Sequence, residues 1–229
     1  MQQREIVLDT ETTGLDPASG HRIVEIGCVE TIGGVRSGAV FHTYLNPCRD
    51  VPEAAQRVHG ITDAFLKDKP LFSEKVDEFL AFIAVSPLVI HNASFDMRFI
   101  NAELENHGFQ AIHMERTIDT VAIARKKFPG SPASLDALCR RFEIDLSERT
   151  KHGALLDAEL LAEVYLELLG GRQVTMALEK EIEPAMPSAA TVQARTQLEA
   201  RDFPPSPEEL EAHLGMLTRL KNSLWGQFN

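Results

Sequence analysis

Ile6-Val7-Leu8-Asp9-Thr10-Glu11-Thr12-Thr13-Gly14 is an apolar run that turns abruptly acidic. Ile6, Val7 and Leu8 predict a buried strand over 5–9, bounded by Gly14 and Pro17. In an extended segment the side chains of residues i and i+2 point the same way, so Asp9 and Glu11 converge on one side. Two carboxylates held together repel unless a cation lies between them, which suggests a hard metal such as Mg²⁺ or Mn²⁺. A polar strand end running into a turn carries the same residue types, so the pair takes its meaning from the rest of the chain.

Working outward, residues 22–30 and 39–46 predict two more strands, separated by the turn signal Gly33-Gly34. Their close spacing predicts an antiparallel meander. The period then changes. Phe72, Val76, Phe79, Leu80 and Ile83 recur at helical spacing, with Ser73 as the expected N-cap. Residues 88–91 predict a short buried strand, 95–106 a helix and 117–119 a last strand. Helices are expected at 120–128, 134–142 and 153–169, the last closed by Gly170-Gly171. A meander followed by alternating helices and strands predicts an α/β domain, a mixed sheet covered by helices, over residues 1–172.

The remainder differs in composition. Pro184, Pro187, Pro204, Pro205 and Pro207 fall in a stretch with little apolar content, so 179–205 is expected to be a flexible linker. Ser206-Pro207-Glu208-Glu209 fits a capping box with proline at the first helical position. Leu210, Leu214, Leu217, Leu220 and Leu224 then recur every three to four residues up to Trp225, predicting an amphipathic helix within 206–229 that has no adjacent core.

Length and composition bound the functional classes. The chain has 229 residues, of which 44% are hydrophobic and 25% charged, an ordinary soluble mixture. The longest nearly apolar stretch, 80–90, is broken by Ser86 and Pro87 and is too short to span a bilayer, so no membrane partner is expected. Cys28, Cys48 and Cys139 are odd in number and lack C-x-x-C spacing, which argues against a disulfide framework or zinc knuckle and for a cytoplasmic protein. The net charge of −11 argues against strong nucleic-acid binding, since phosphate contacts need Lys and Arg. One island runs against this balance. Between residues 121 and 151, Arg125, Lys126, Lys127, Arg140, Arg141, Arg149 and Lys151 outnumber the acidic residues, an island that a solvated surface commonly explains and that is also a lead to phosphate contact.

Two further acidic positions accompany Asp9 and Glu11. In His91-Asn92-Ala93-Ser94-Phe95-Asp96, Asp96 falls in the first turn of a helix, where its charge suits the dipole. In His152-Gly153-Ala154-Leu155-Leu156-Asp157, a separation of five residues does not share one helical face. His152 is therefore expected on the loop before the helix and Asp157 on its first turns. Four carboxylates from separate elements plus one histidine are what a two-metal phosphodiesterase needs. Histidine, with an unperturbed pKa of about 6.5 as a residue type, suits a general base near neutral pH, the role expected at position 152.

These residues resemble the DEDD exonuclease superfamily, in the subgroup whose third motif carries histidine. Asp9-x-Glu11 resembles its first motif, Asn92-x-x-Phe95-Asp96 its second and His152-x-x-x-x-Asp157 its third. IVLDTETTG, VHGIT, LVIHNASFD, SLDALCRRFEID and HGALLDAELLAEVY narrow the likeness to the proofreading epsilon subunits of bacterial DNA polymerase III. The resemblance implies a ribonuclease H-like fold over about 4–170. It implies two divalent cations, Mg²⁺ or Mn²⁺, held by Asp9, Glu11, Asp96 and Asp157, with His152 as proton acceptor. It implies that Glu11, Thr12, His59 and Asp157 meet the terminal nucleotide of a single-stranded or frayed DNA 3′ end. In this family a Glu usually lies five residues before that histidine, whereas here the position is Ala54, with Glu53 one residue further back.

The tail resembles the family too. Gln173, Met176 and Leu178, within 173–178, look like a sliding-clamp-binding peptide. The C-terminal helix, with Leu210, Leu214, Leu217 and Trp225, looks like the segment that docks on the polymerase III alpha subunit, a helix-in-groove interaction. A small accessory subunit is a further implied partner. The implied activity is 3′→5′ DNA exonuclease proofreading in the bacterial replisome. An RNA-trimming exonuclease of the same superfamily, and a non-catalytic adaptor between polymerase and clamp, are the alternatives.

Overall fold

The computed structural model describes residues 3–147, 149, 151–171 and 205–219. Three strands open the chain: β1 (Arg4–Thr12), β2 (Ile23–Ile32) and β3 (Val35–Tyr44). They form the expected meander, β1 pairing antiparallel with β2 and β2 with β3. The strands run further than the apolar pattern predicts. β1 continues through Thr12 because Asp9 pairs with Gly27, Thr10 with Ile26 and Glu11 with Glu25, so the acidic pair lies within the ladder. β2 and β3 reach to the turn itself, because Gly33 and Gly34 adopt positive φ (60° and 80°), the conformation of a tight two-residue hairpin.

Two helices follow that apolar periodicity does not announce, α1 (Glu53–His59) and α2 (Asp63–Leu66). They are too short to display a face. Next comes α3 (Phe72–Ile83), which begins one residue before the expected cap: Leu71 precedes it, and the Glu74 side chain accepts from the Leu71 backbone N–H at 2.7 Å. β4 (Leu88–Ile90), α4 (Ala93–Asn106), β5 (Thr117–Asp119), α5 (Thr120–Lys127), α6 (Leu135–Arg141) and α7 (Ala154–Leu168) complete the domain, each within two residues of its expected start and end. β4 and β5 add parallel to β1, giving the order β3-β2-β1-β4-β5.

The sheet is buried on both faces. Ile6, Leu8 and Ile26 pack with Phe79 of α3 and Met97, Phe99 and Ile100 of α4 on one side. Val7, Val29 and Val89 pack with Leu138 of α6 and Leu161, Val164 and Tyr165 of α7 on the other. Each such side chain contributes roughly 1.5–3 kcal/mol by leaving water. α7 lies directly on β2 where Gly27 has no side chain, since a Cβ there would sit 2.3 Å from the Ala154 backbone.

The chain divides into two units, Met1–Ala177 and Leu178–Asn229. Within the second, α8 (Pro207–Leu217) starts at the expected capping box, Ser206 and Glu209 each accepting from the other's backbone N–H. Leu210 and Leu214 are exposed and Leu217 is half-buried. Gln173, Met176 and Leu178, most of the 179–205 linker, and Leu220, Leu224 and Trp225 lie outside the described residues. Among the described residues no helix is long and apolar enough to cross a membrane.

Candidate active site

Strand alternation sorts the residues at the C-terminal end of β1. Ile6 and Leu8 face α3 and α4, while Val7 faces α7. Continuing the alternation, Thr10 points with Leu8 toward α4, and Asp9 and Glu11 point with Val7 toward α7. The first-motif carboxylates thus meet Asp157 of α7. The second-motif carboxylate arrives from the opposite face and is held there by Thr10, whose backbone N–H (3.1 Å) and Oγ1 (2.7 Å) both donate to Asp96 Oδ1.

The third motif sits as expected: His152 on the loop, Gly153 as the residue before the helix, and Asp157 in its first turn. Asp157 is buried, and both its oxygens accept from Arg149, at 2.5 Å from Nε and 2.7 Å from Nη2. His152 Nδ1 lies 3.2 Å from Asp157 Oδ2 and 2.8 Å from Arg149 Nη2. Glu25, the β2 partner of Glu11, is buried and ties the N-terminus of α7 to the sheet. It accepts from Ala154 N–H at 3.1 Å and contacts His42 Nε2 at 2.7 Å.

The electrostatics of this cluster are unfavourable to bare carboxylates. Burial, reinforced by Asp157, Glu25 and Asp96, raises Glu11 to about 8. Burial raises Asp96 to about 7 despite its hydrogen bonds from Thr10. Asp9 moves well above the ordinary range, from burial first and then from Asp96, Glu11 and Asp157. Carboxylates crowded into a water-poor pocket at this density fit divalent cations, and all-oxygen donors fit hard ones. Glu11, His152 and Asp157 each offer a ligand atom, all within 4.8 Å of one another.

A cavity of about 610 Å³ opens beside the carboxylates, lined among others by Glu11, Thr12, Leu15, Val58, His59 and Phe95. His59 Nδ1 accepts from Ile61 N–H at 3.0 Å, which leaves Nε2 as the donor; Nε2 is buried and makes no hydrogen bond among the described residues, though the Thr12 backbone lies close enough to influence the ring. Burial lowers the His59 pKa and so favours this neutral form. Ala54 lines the cavity, whereas Glu53 is exposed and is not among its lining residues.

The basic island is less available to phosphates than its sequence implies. Arg149 is committed to Asp157 and Asp136, Lys127 donates to the last carbonyls of α7, and Arg141 stacks on Phe128. Thr10, Glu25 and Arg149 are the parts of the site that motif reading missed as such. Only strand alternation around Asp9 and the place of Arg149 near His152 pointed to two of them.

Residues 6–165 match the Exonuclease family model, which sets the class of protein that this mixed ribonuclease H-like sheet and its carboxylate site define. The chain is 50% identical over 222 residues to DNA polymerase III subunit epsilon of Rickettsia conorii, covering 95% of this chain and 96% of that one. It is 49% identical over 220 residues to the Salmonella typhimurium subunit of the same name, covering 92% and 90%. Among solved structures, Exonuclease X in complex with 5′ overhanging duplex DNA matches with a TM-score of 0.58 at 27% identity, over 72% of this chain and 90% of that one. The chain belongs to the DNA polymerase III subunit epsilon family.

Proposed function

We propose that this chain is a proofreading 3′→5′ DNA exonuclease of a bacterial replicative polymerase, hydrolysing the 3′-terminal phosphodiester and releasing nucleoside monophosphates. The observation that supports the reading is that Glu11, His152 and Asp157 offer ligand atoms within 4.8 Å of one another beside a cavity of about 610 Å³, with Asp9 buried close enough to Asp96, Glu11 and Asp157 for their charges to raise its pKa.

The four carboxylates would hold two divalent cations, Mg²⁺ or Mn²⁺. Such ions, when bound, supply charge stabilisation at the scissile phosphate and a more acidic water. His152 takes the proton of the attacking water. With Nδ1–H donated toward Asp157 Oδ2, the Nε2 lone pair is free to accept it. Thr12 and Glu11 line the nucleotide cavity, and the buried His59 Nε2–H, which makes no hydrogen bond among the described residues, is a donor that a bound nucleotide would satisfy. Discrimination comes mainly from fraying: a mispaired end melts more readily and reaches the cavity more often.

The same reading assigns partners to the tail. Exposed Leu210 and Leu214 on a well-capped helix suit docking to the polymerase alpha subunit, and Gln173, Met176 and Leu178 suit the sliding clamp.

Digestion of a 3′-mispaired DNA primer with Mg²⁺ tests the activity. Rapid removal by the wild type and loss in Asp9→Ala is expected; equal rates would refute the mechanism. An RNA oligonucleotide of the same sequence, degraded faster than the DNA, would move the assignment to RNA trimming.

A further inference from the structure

Arg149 is the most tightly engaged cation at the site. Its side chain is only 8% exposed, and its guanidinium forks onto both oxygens of Asp157 while Nη1 donates to Asp136 of α6. Nη2 also reaches His152 Nδ1 at 2.8 Å. A guanidinium only donates, so this contact makes Nδ1 the acceptor, and a neutral imidazole then carries its proton on Nε2. In that tautomer neither ring nitrogen can take a proton from water. The competent alternative, Nδ1–H donated to Asp157 Oδ2 at 3.2 Å, needs Nδ1 released from Arg149.

The guanidinium thus engages Asp157 and His152, two of the three residues whose ligand atoms lie within 4.8 Å of one another, Glu11 being the third. A dication and a guanidinium sharing one buried carboxylate repel strongly, because little water screens them. Arg149 belongs to no helix or strand, whereas Asp157 is fixed in a helix. Asp136, on the first turn of α6, accepts from Nη1 and helps hold the guanidinium over Asp157.

We propose that Arg149 is a resident counter-ion of Asp157 that a divalent cation displaces, and that its departure switches His152 to the tautomer that accepts a proton. Loading of the site and arming of the base are then one event. Until it occurs, the enzyme holds its carboxylate in place without exposing a working base. The proposal rests on the reading of Asp157 as a cation ligand.

Calorimetric titration of the full, metal-free chain with Mn²⁺ tests it. Arg149→Gln should tighten Mn²⁺ roughly tenfold, the size of an ordinary coupling between competing sites. The same substitution should lower the metal-free melting temperature and enlarge the rise that Mn²⁺ produces. Asp136→Asn, which loosens the guanidinium from outside the site, should shift affinity the same way by less, and carries the test if Arg149→Gln does not fold. Unchanged or weaker affinity in these variants overturns the exchange. Asp157→Ala separates the two levels: if it abolishes Mn²⁺ binding while the other variants match wild type, only the exchange is wrong. If Asp157→Ala binds Mn²⁺ like wild type, the cation reading falls and the proposal with it. Nitrogen-15 spectra of His152 should show Nε2 protonated without metal and Nδ1 protonated with Mg²⁺; the same tautomer in both states overturns the switch.

Discussion

Thr10 and Asp96, 86 residues apart, are joined by two hydrogen bonds to a single carboxylate oxygen, one from the Thr10 backbone and one from its hydroxyl. The link fastens α4 to β1 and fixes the one site carboxylate that comes from the opposite face of the sheet. Thr10→Val removes the hydroxyl and keeps the shape. Exonuclease activity should fall by about 10–100-fold, as when other supports of a metal ligand are lost. Stability should drop by about 1–2 kcal/mol. Thr10→Ser should restore most of both, and a Val variant with wild-type turnover would show that Asp96 needs no such support.

His152 is half-exposed, and its loss leaves no cavity in the core. His152→Ala should reduce turnover by about 10²–10⁴-fold, the usual worth of a general base, while the melting temperature stays close to wild type. Single-turnover digestion of a mispaired primer alongside a thermal melt makes the comparison. A variant that digests normally would leave the proton to another acceptor.

The metal-free protein should lose stability as pH rises. Folding raises Glu11 from 4.5 to about 8 and Asp96 from 3.8 to about 7, mainly through burial. Between the unfolded and folded values the native chain binds more protons than the unfolded chain, so unfolding becomes easier with each step up in pH. The penalty is absent below about 4 and complete above about 8. Melts in EDTA should therefore decline across this window, and millimolar Mg²⁺ should flatten the decline. A metal-free melting temperature that rises from pH 5 to pH 8 would contradict these shifts.

Gly27 sits where the α7 backbone touches β2, with no room for a methyl group. Gly27→Ala should destabilise the fold by about 1–3 kcal/mol through overpacking. It should also cut activity beyond what stability explains, because α7 carries Asp157. Urea unfolding and primer digestion at a temperature where the variant is folded will separate the two effects.

Deleting residues 206–229 should abolish co-purification with the polymerase subunit and spare exonuclease activity, and replacing Gln173, Met176 and Leu178 with Ala should weaken clamp pull-down. Equal loss of nuclease activity on deletion would make α8 part of the nuclease, and unchanged clamp binding would remove the peptide assignment.

What the sequence determined by itself is local. The apolar run Ile6-Val7-Leu8, the glycine pair at 33–34, Ser206 as a cap and the spacing of Phe72, Val76 and Phe79 each act through neighbouring backbone, so each could be read directly. α1 and α2 escaped because so few residues show no period. The three motifs named the carboxylates and the histidine, but not their neighbours. Only the tertiary structure decided that Thr10 would hold Asp96, that Glu25 would anchor α7 beside Glu11, and that Arg149 would close over Asp157. Those contacts depend on strand register and on how two helices from distant parts of the chain approach opposite faces of one strand. The net charge of −11 is the plainest case. As a sum it argued against nucleic acid, whereas in the fold its most consequential members are crowded carboxylates whose burial raises their pKa and makes them candidates for cations.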